Sequence, residues 1–138
     1  MYKNKTYAVI GGDNRSAYLT SALINEGCKV YINGLEQCDF IPEDAKSETL
    51  ENAVVKSGVI ILPMPVSSNN VTLNAPFSAD PIYLPDIFKY ADSSQLIVGG
   101  KIPEKLIYAA SLRKIRVIDY LEREELNILN CIPTAEGA

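Results

Sequence analysis

Short apolar runs rich in β-branched residues alternate along this chain with longer amphipathic stretches. Thr6 to Ile10 is apolar on both faces and stops at Gly11-Gly12, which reads as a buried strand. From Arg15 to Glu26 the apolar spacing turns helical, with Leu19, Ala22 and Leu23 on one face, and Gly27 supplies a stop. Lys29 to Ile32 predicts a second strand ended by Asn33-Gly34, and Cys38 to Lys46 reads as loop. Thr49 to Ser57 predicts a short helix with Leu50, Ala53 and Val54 on one face and Gly58 at its end. Val59 to Leu62 is a third strand, cut off by Pro63 and Pro65.

The stretch from residue 66 to 81 is polar and irregular, with Asn69, Asn70, Asn74, Pro76 and Pro81. Connections of that length are usually functional or mobile. Leu84 to Ala91 follows as a short helix with Pro85 near its start, then Gln95 to Val98 as a fourth strand ended by Gly99-Gly100. Pro103 stands where a helix accepts its first residue, and that helix runs to about Leu112. Arg116 to Asp119 is a fifth strand; Leu121 to Glu125 reads as one helical turn, and Leu126 to Cys131 fits strand or helix.

Five such strands with helices between them imply βαβ units and a parallel sheet. The predicted architecture is a single α/β domain over residues 1–138, with an open parallel sheet of five or six strands in a three-layer, Rossmann-like or flavodoxin-like arrangement. The usual doubly wound order, 2-1-3-4-5, is the expected one. Ligands of such sheets bind beyond the carboxyl ends of the strands. Here that rim carries Gly11-Gly12-Asp13-Asn14-Arg15 after the first strand, Pro63 to Ser68 after the third, and Gly99-Gly100-Lys101 after the fourth.

From these tracts Gly11, Gly12, Asp13, Arg15, Ser67, Gly100 and Lys101 are the candidate ligand-binding residues. Glycine lets backbone come close to a ligand, Arg offers a bidentate fork to a carboxylate, and Lys a point charge, so a small di-acid suits the rim. Each residue also has a plainer reading. Asp13 serves equally as a helix cap, the glycine pairs as tight βα turns, and Lys101 as a solvated cation.

Composition narrows the chemistry. At 138 residues and 47% hydrophobic content the chain can bury one real core. With 13 basic and 17 acidic residues, a net charge of −4, nothing draws the whole chain to nucleic acid or to an anionic membrane. Met1 to Lys5 is polar, unlike a secretory leader, and no apolar stretch approaches a spanning length. Cys28, Cys38 and Cys131 are few, scattered and odd in number, which speaks for free thiols and against a disulfide framework or a zinc site. There is no histidine, so no Ser-His-Asp or Cys-His arrangement can be built. No metal site and no catalytic residue can be assigned from the residues alone.

The first turn is not a dinucleotide fingerprint. Asp13 and Ser16 stand at the second and third glycine positions, and an Asp there repels a pyrophosphate. The second strand ends in Asn33-Gly34 rather than in the acidic residue that holds an adenine ribose. No cofactor is therefore expected on this domain.

Taken in order, Ala8 to Arg15, Ile60 to Val66 and the closing Asn130-Cys131-Ile132-Pro133-Thr134-Ala135-Glu136-Gly137 resemble the N-terminal domain of the dipicolinate synthase A-subunit family. The closing Asn-x-Ile-Pro-Thr-x-Glu-Gly is the most specific of the three, and the likeness spans nearly the whole chain.

The resemblance implies a two-domain, cytoplasmic dehydrogenase acting in the mother cell of a sporulating bacterium. With a second synthase subunit it oxidises a dihydro- or hydroxytetrahydrodipicolinate to dipicolinate, using NADP held by a C-terminal Rossmann domain. It further implies that this chain is the substrate-side N-terminal half, inactive by itself, with the cofactor half absent beyond Ala138. Pro133, Thr134 and Glu136 then fall at the interdomain cleft, with Thr134 able to cap the interdomain helix and Glu136 in its first turn. The implied partners are that C-terminal domain, a pyridine-type dicarboxylate and the second subunit, with a homodimer also open. An alternative is an interaction module for dimerisation or subunit docking, favoured by the long loop from Val66 to Pro81 with Phe77 near its middle.

Overall fold

The computed structural model describes residues 6–39 and 41–119. Strand β1 (Thr6–Ile10) leads into helix α1 (Asn14–Asn25), followed by β2 (Lys29–Asn33), a two-residue β3 (Lys46–Ser47) and α2 (Leu50–Val55). Then come β4 (Val59–Ile61), α3 (Leu84–Tyr90), β5 (Leu96–Gly99), α4 (Glu104–Leu112) and β6 (Arg116–Asp119). The strands form one sheet in the order β3-β2-β1-β4-β5-β6, and every pairing is parallel. The five strands predicted from sequence thus take the expected doubly wound order. The addition is β3, which extends the sheet beyond β2 and begins at Lys46, the last residue of the stretch read as loop.

Both faces of the central sheet are buried, which is why β1, β2, β4 and β5 are apolar at their centres rather than alternating. On one face Tyr7, Val9, Val30, Ile32 and Ile61 pack with Leu19 and Leu23 of α1. On the other, Ala8, Ile10, Tyr31, Ile60 and Ile97 pack with Ala53 and Val54 of α2, Ile87 and Phe88 of α3, and Ala110 of α4. A one-residue register slip would exchange the two sets.

The helix ends follow local chemistry. Asp13 is the N-cap of α1, its carboxylate accepting the Arg15 amide at 2.9 Å. At the other end Gly27 takes φ +88°. There the Cys28 amide reaches back to the Leu23 carbonyl and the Gly27 amide to that of Ile24, which is the Schellman pattern. Thr49 caps α2 through its hydroxyl. Pro103 sits at the N-cap of α4, one position before the first helical residue predicted for it.

A buried amide ties α2 to the strand layer. Gln95 Nε2 donates to the carbonyls of Val54 and Ser57, and its Oε1 accepts the Asp92 amide. All its polar groups are thereby engaged, as burial requires. Among the described residues no helix is long and apolar enough to cross a membrane, and no cluster of potential metal ligands occurs. The segments read at 121–125 and 126–131, with Cys131, Pro133, Thr134 and Glu136, lie outside the described residues.

Candidate functional site

From β1 the chain winds to one side of the sheet through β2, and β4 resumes on the other side. The point where the winding reverses lies between β1 and β4, and a crevice opens there beyond the strand ends. A cleft of about 480 Å³ occupies this position, lined by Gly12, Asp13 and Arg15 from the first turn, by Pro63-Met64-Pro65 after β4, and by Asn74-Ala75-Pro76.

The third wall comes from the long loop folding back. The Asn74 amide donates to the Val66 carbonyl at 2.8 Å, and the Gly12 amide donates to the Asn74 carbonyl at 2.9 Å. Asn74 Nδ2 also donates to the Pro65 carbonyl at 2.9 Å. Further out, Ser67 Oγ accepts the amides of Asn69 and Asn70 and donates to the Thr72 carbonyl. Asn69 Oδ1 accepts the amides of Val71 and Thr72. The loop is irregular in outline, yet its backbone is closely tied.

The glycines after β1 serve this fold-back. Gly11 takes φ +66° and Gly12 φ +96°. A Cβ on Gly11 would meet Leu73 Cδ2 at 2.6 Å and the Asn74 carbonyl at 3.0 Å. The backbone that comes close to these glycines is therefore the protein's own loop, whose Leu73 to Ala75 segment lies across them.

Arg15 supplies the cleft's positive charge. Its Nε and Nη2 contact the Asp13 carboxylate at 3.3 Å each, and Nη2 donates to the Met64 carbonyl at 3.0 Å. The guanidinium thus bridges from the α1 cap to the segment after β4, and Nη1 has no acceptor among the described residues. Partial burial pushes the Asp13 carboxyl up, but the Arg15 hydrogen bonds and charge outweigh it and hold the group below its ordinary value. The pair is 66% and 46% exposed on the Arg and Asp sides, so solvent screens much of its attraction.

Of the residues singled out from sequence, Gly12, Asp13 and Arg15 come together in the cleft. Gly11 lies beneath the loop, and Ser67 is occupied by the loop's internal bonds. Gly100 lies under Met64. Lys101 is exposed, with φ +63°, and its amide and that of Ile102 donate to the Asp119 carboxylate at 2.9 and 2.8 Å. The turn after β5, read as a candidate anion rim, thus directs two of its amides to the chain's own carboxylate. Phe77, the feature behind the docking alternative, packs half-buried against the core on the α1 side.

Sequence reasoning placed Pro63 to Ser68 on the rim but singled out Ser67, passing over Met64. It also read Asn74 as one of several loop asparagines. The Pro-Met-Pro run was a usable signal, whereas the contact of Asn74 with Gly12 spans too much sequence to be seen in a local pattern.

The sequence model of the dipicolinate synthase A-subunit N-terminal domain family matches residues 6–121. The A subunit of dipicolinate synthase from Bacillus subtilis (strain 168) is 27% identical over 132 residues, spanning 94% of this chain and 44% of that protein. A crystal structure of dipicolinate synthase, A chain, from Bacillus subtilis superposes with a TM-score of 0.77 at 26% identity, covering 97% of this chain and 46% of that one. Its counterpart from Bacillus halodurans gives 0.76 at 22% identity, with 96% and 46% coverage. A D-lactate dehydrogenase from Aquifex aeolicus, solved with NAD and lactic acid, shares the fold at a TM-score of 0.61 and 16% identity, with 99% and 40% coverage. The chain therefore spans less than half the length of these relatives.

Proposed function

The chain belongs to the dipicolinate synthase A-subunit N-terminal domain family, and on that premise we propose that it is the substrate-side domain of a two-domain oxidoreductase. In this reading it holds a pyridine-type dicarboxylate precursor, a dihydro- or hydroxytetrahydrodipicolinate. A dinucleotide-binding domain of the same chain brings NADP, which accepts the hydride as the ring is oxidised. Dipicolinate is the product, made with the second synthase subunit in the mother-cell cytoplasm during sporulation.

The observation that carries the reading is Arg15, whose guanidinium stands in the crevice between β1 and β4 with Nη1 open to a ligand. Around it lie three prolines, Met64 and Ala75, apolar walls suited to a flat ring whose carboxylate meets the cation. This domain's part is to bind and orient the acid. Leaving the nucleotide to the rest of the protein is supported by the first turn. A pyrophosphate at the start of α1 would find the Gly12 amide committed to Asn74 and the Arg15 amide covered by the Asp13 carboxylate. It is supported too by the length that the relatives have beyond this region.

Titration of the isotope-labelled protein with dipicolinate tests the reading. Amide shifts are expected at Gly12, Asp13, Arg15, Met64 and Asn74, and Arg15→Ala should abolish them. Shifts confined to other regions, or nicotinamide nucleotide retained tightly by this chain, would overturn it.

A further inference from the structure

We propose that Met64 is the platform on which the ring of the bound acid rests, and that Gly100 is the seat that keeps it in place. This rests on the dicarboxylate reading and adds the side chain that selects a ring-bearing acid over an open-chain one.

Gly100 is glycine for a reason other than backbone conformation, since its φ lies outside the left-handed region that Gly11, Gly12, Gly27 and Gly34 occupy. The reason is space. A Cβ at Gly100 would stand 2.5 Å from Met64 Cγ, 2.8 Å from its Cβ and 3.1 Å from its Sδ. The Met64 side chain thus lies directly over the bare α-carbon of Gly100, and any side chain there displaces it.

The backbone around Met64 is held on both sides of that seat. The Val66 amide donates to the Gly100 carbonyl at 2.8 Å, and the Gly100 amide reaches the Pro63 carbonyl at 3.4 Å. On the cleft side, the Met64 carbonyl accepts from Arg15 Nη2. One residue therefore both fixes the cation through its carbonyl and belongs to the cleft wall, so the cation and that wall are tied through a single residue. Met64 is half-buried and belongs to the cleft lining. Among the described residues no Phe, Tyr or Trp lines the cleft, so a ring entering beside Arg15 gains its polarizable contact from the Met64 sulfur. An open-chain dicarboxylate gains the cation without the platform.

Calorimetric titration of this protein with dipicolinate and with glutarate, an open-chain di-acid, tests the proposal. Met64→Ala should weaken dipicolinate binding roughly two- to tenfold, within the range of sulfur–ring contacts, and shift glutarate by less than that. Met64→Leu should fall between the unaltered protein and Met64→Ala, because volume and apolarity persist while the sulfur contact is lost. Gly100→Ala should weaken dipicolinate as Met64→Ala does although Met64 is still present. Equal loss for both acids in Met64→Ala would mean collapse of the wall and would overturn the platform. Unchanged dipicolinate binding in Met64→Ala, with binding abolished in Arg15→Ala, would overturn the platform and leave the dicarboxylate reading standing. Failure of the unaltered protein to bind either acid would overturn both.

Discussion

The Gly12 amide donates to the Asn74 carbonyl at 2.9 Å, joining the end of β1 to a loop residue 62 positions later. This bond brings the third wall onto the cleft. It requires Gly12 at φ +96°, where a Cβ would fall 1.9 Å from Ser16 Oγ.

Gly12→Ala is therefore expected to cost about 1–3 kcal/mol, the usual range for a side chain forced into the left-handed region. Gly58→Ala is the control. Its φ lies outside that region, and its Cβ would meet nothing nearer than the Thr6 carbonyl at 3.9 Å. That substitution should be neutral or stabilise by up to about 1 kcal/mol. Urea unfolding of the two variants measures the contrast.

Asp13 combines a cap with an ion pair. Its folded carboxyl titrates below the ordinary value, so its contribution is complete above the unfolded pKa and is lost as pH falls through the folded one. Asp13→Asn keeps the cap and removes the charge. At neutral pH it should cost about 0.5 kcal/mol, small because the pair is largely solvated. The gap from the unaltered protein should close on acidification, when Asp13 is itself neutral. Asp13→Ala should cost about 1 kcal/mol through the lost cap alone, and that part should persist in acid. Unfolding midpoints across the acid range separate the two contributions.

Asp119 holds the turn after β5 by receiving the amides of Lys101 and Ile102. Asp119→Ala leaves both donors without that acceptor and should cost about 1–3 kcal/mol. Hydrogen exchange at these two amides should accelerate well beyond that of neighbouring residues.

Gln95 is buried and bonded at every polar atom of its side chain. Gln95→Glu would set a carboxylate against the carbonyls of Val54 and Ser57, so the folded state should favour its protonated form. A carboxyl with a raised folded pKa destabilises increasingly as pH rises through the unfolded value. The variant should therefore melt well below the unaltered protein at neutral pH and recover part of the difference in acid, as calorimetry at two pH values would record.

Local pattern carried much of this fold. β1, β4 and β5 are apolar or β-branched runs closed by glycine or proline, and α1 shows both its periodicity and its terminal Gly27. β3 escaped because its two residues, Lys46 and Ser47, are polar and exposed. It exists through pairing with Tyr31 and Ile32 of β2, helped by the Asn33 side chain on the Glu48 carbonyl. The site divided the same way. Gly12, Asp13 and Arg15 are neighbours in sequence and could be read as a group. Ser67 and Lys101 share the rim on paper, but the hydroxyl of one is used inside the loop and the amide of the other turns to Asp119. Met64 needed Gly100 beneath it, and that pairing emerges only when β4 and β5 lie side by side.

The two bonds that hang the third wall, Gly12 to Asn74 and Asn74 to Val66, run from main chain to main chain. An attachment of this kind is indifferent to the side chains displayed beside it. Position 76, exposed on the cleft wall, can therefore change while the scaffold stays folded, whereas Ala75 is held small by its packing over Gly11. A lineage can reshape what it accepts by changing the facing and leaving the fastening alone, and a protein engineer can begin at that position.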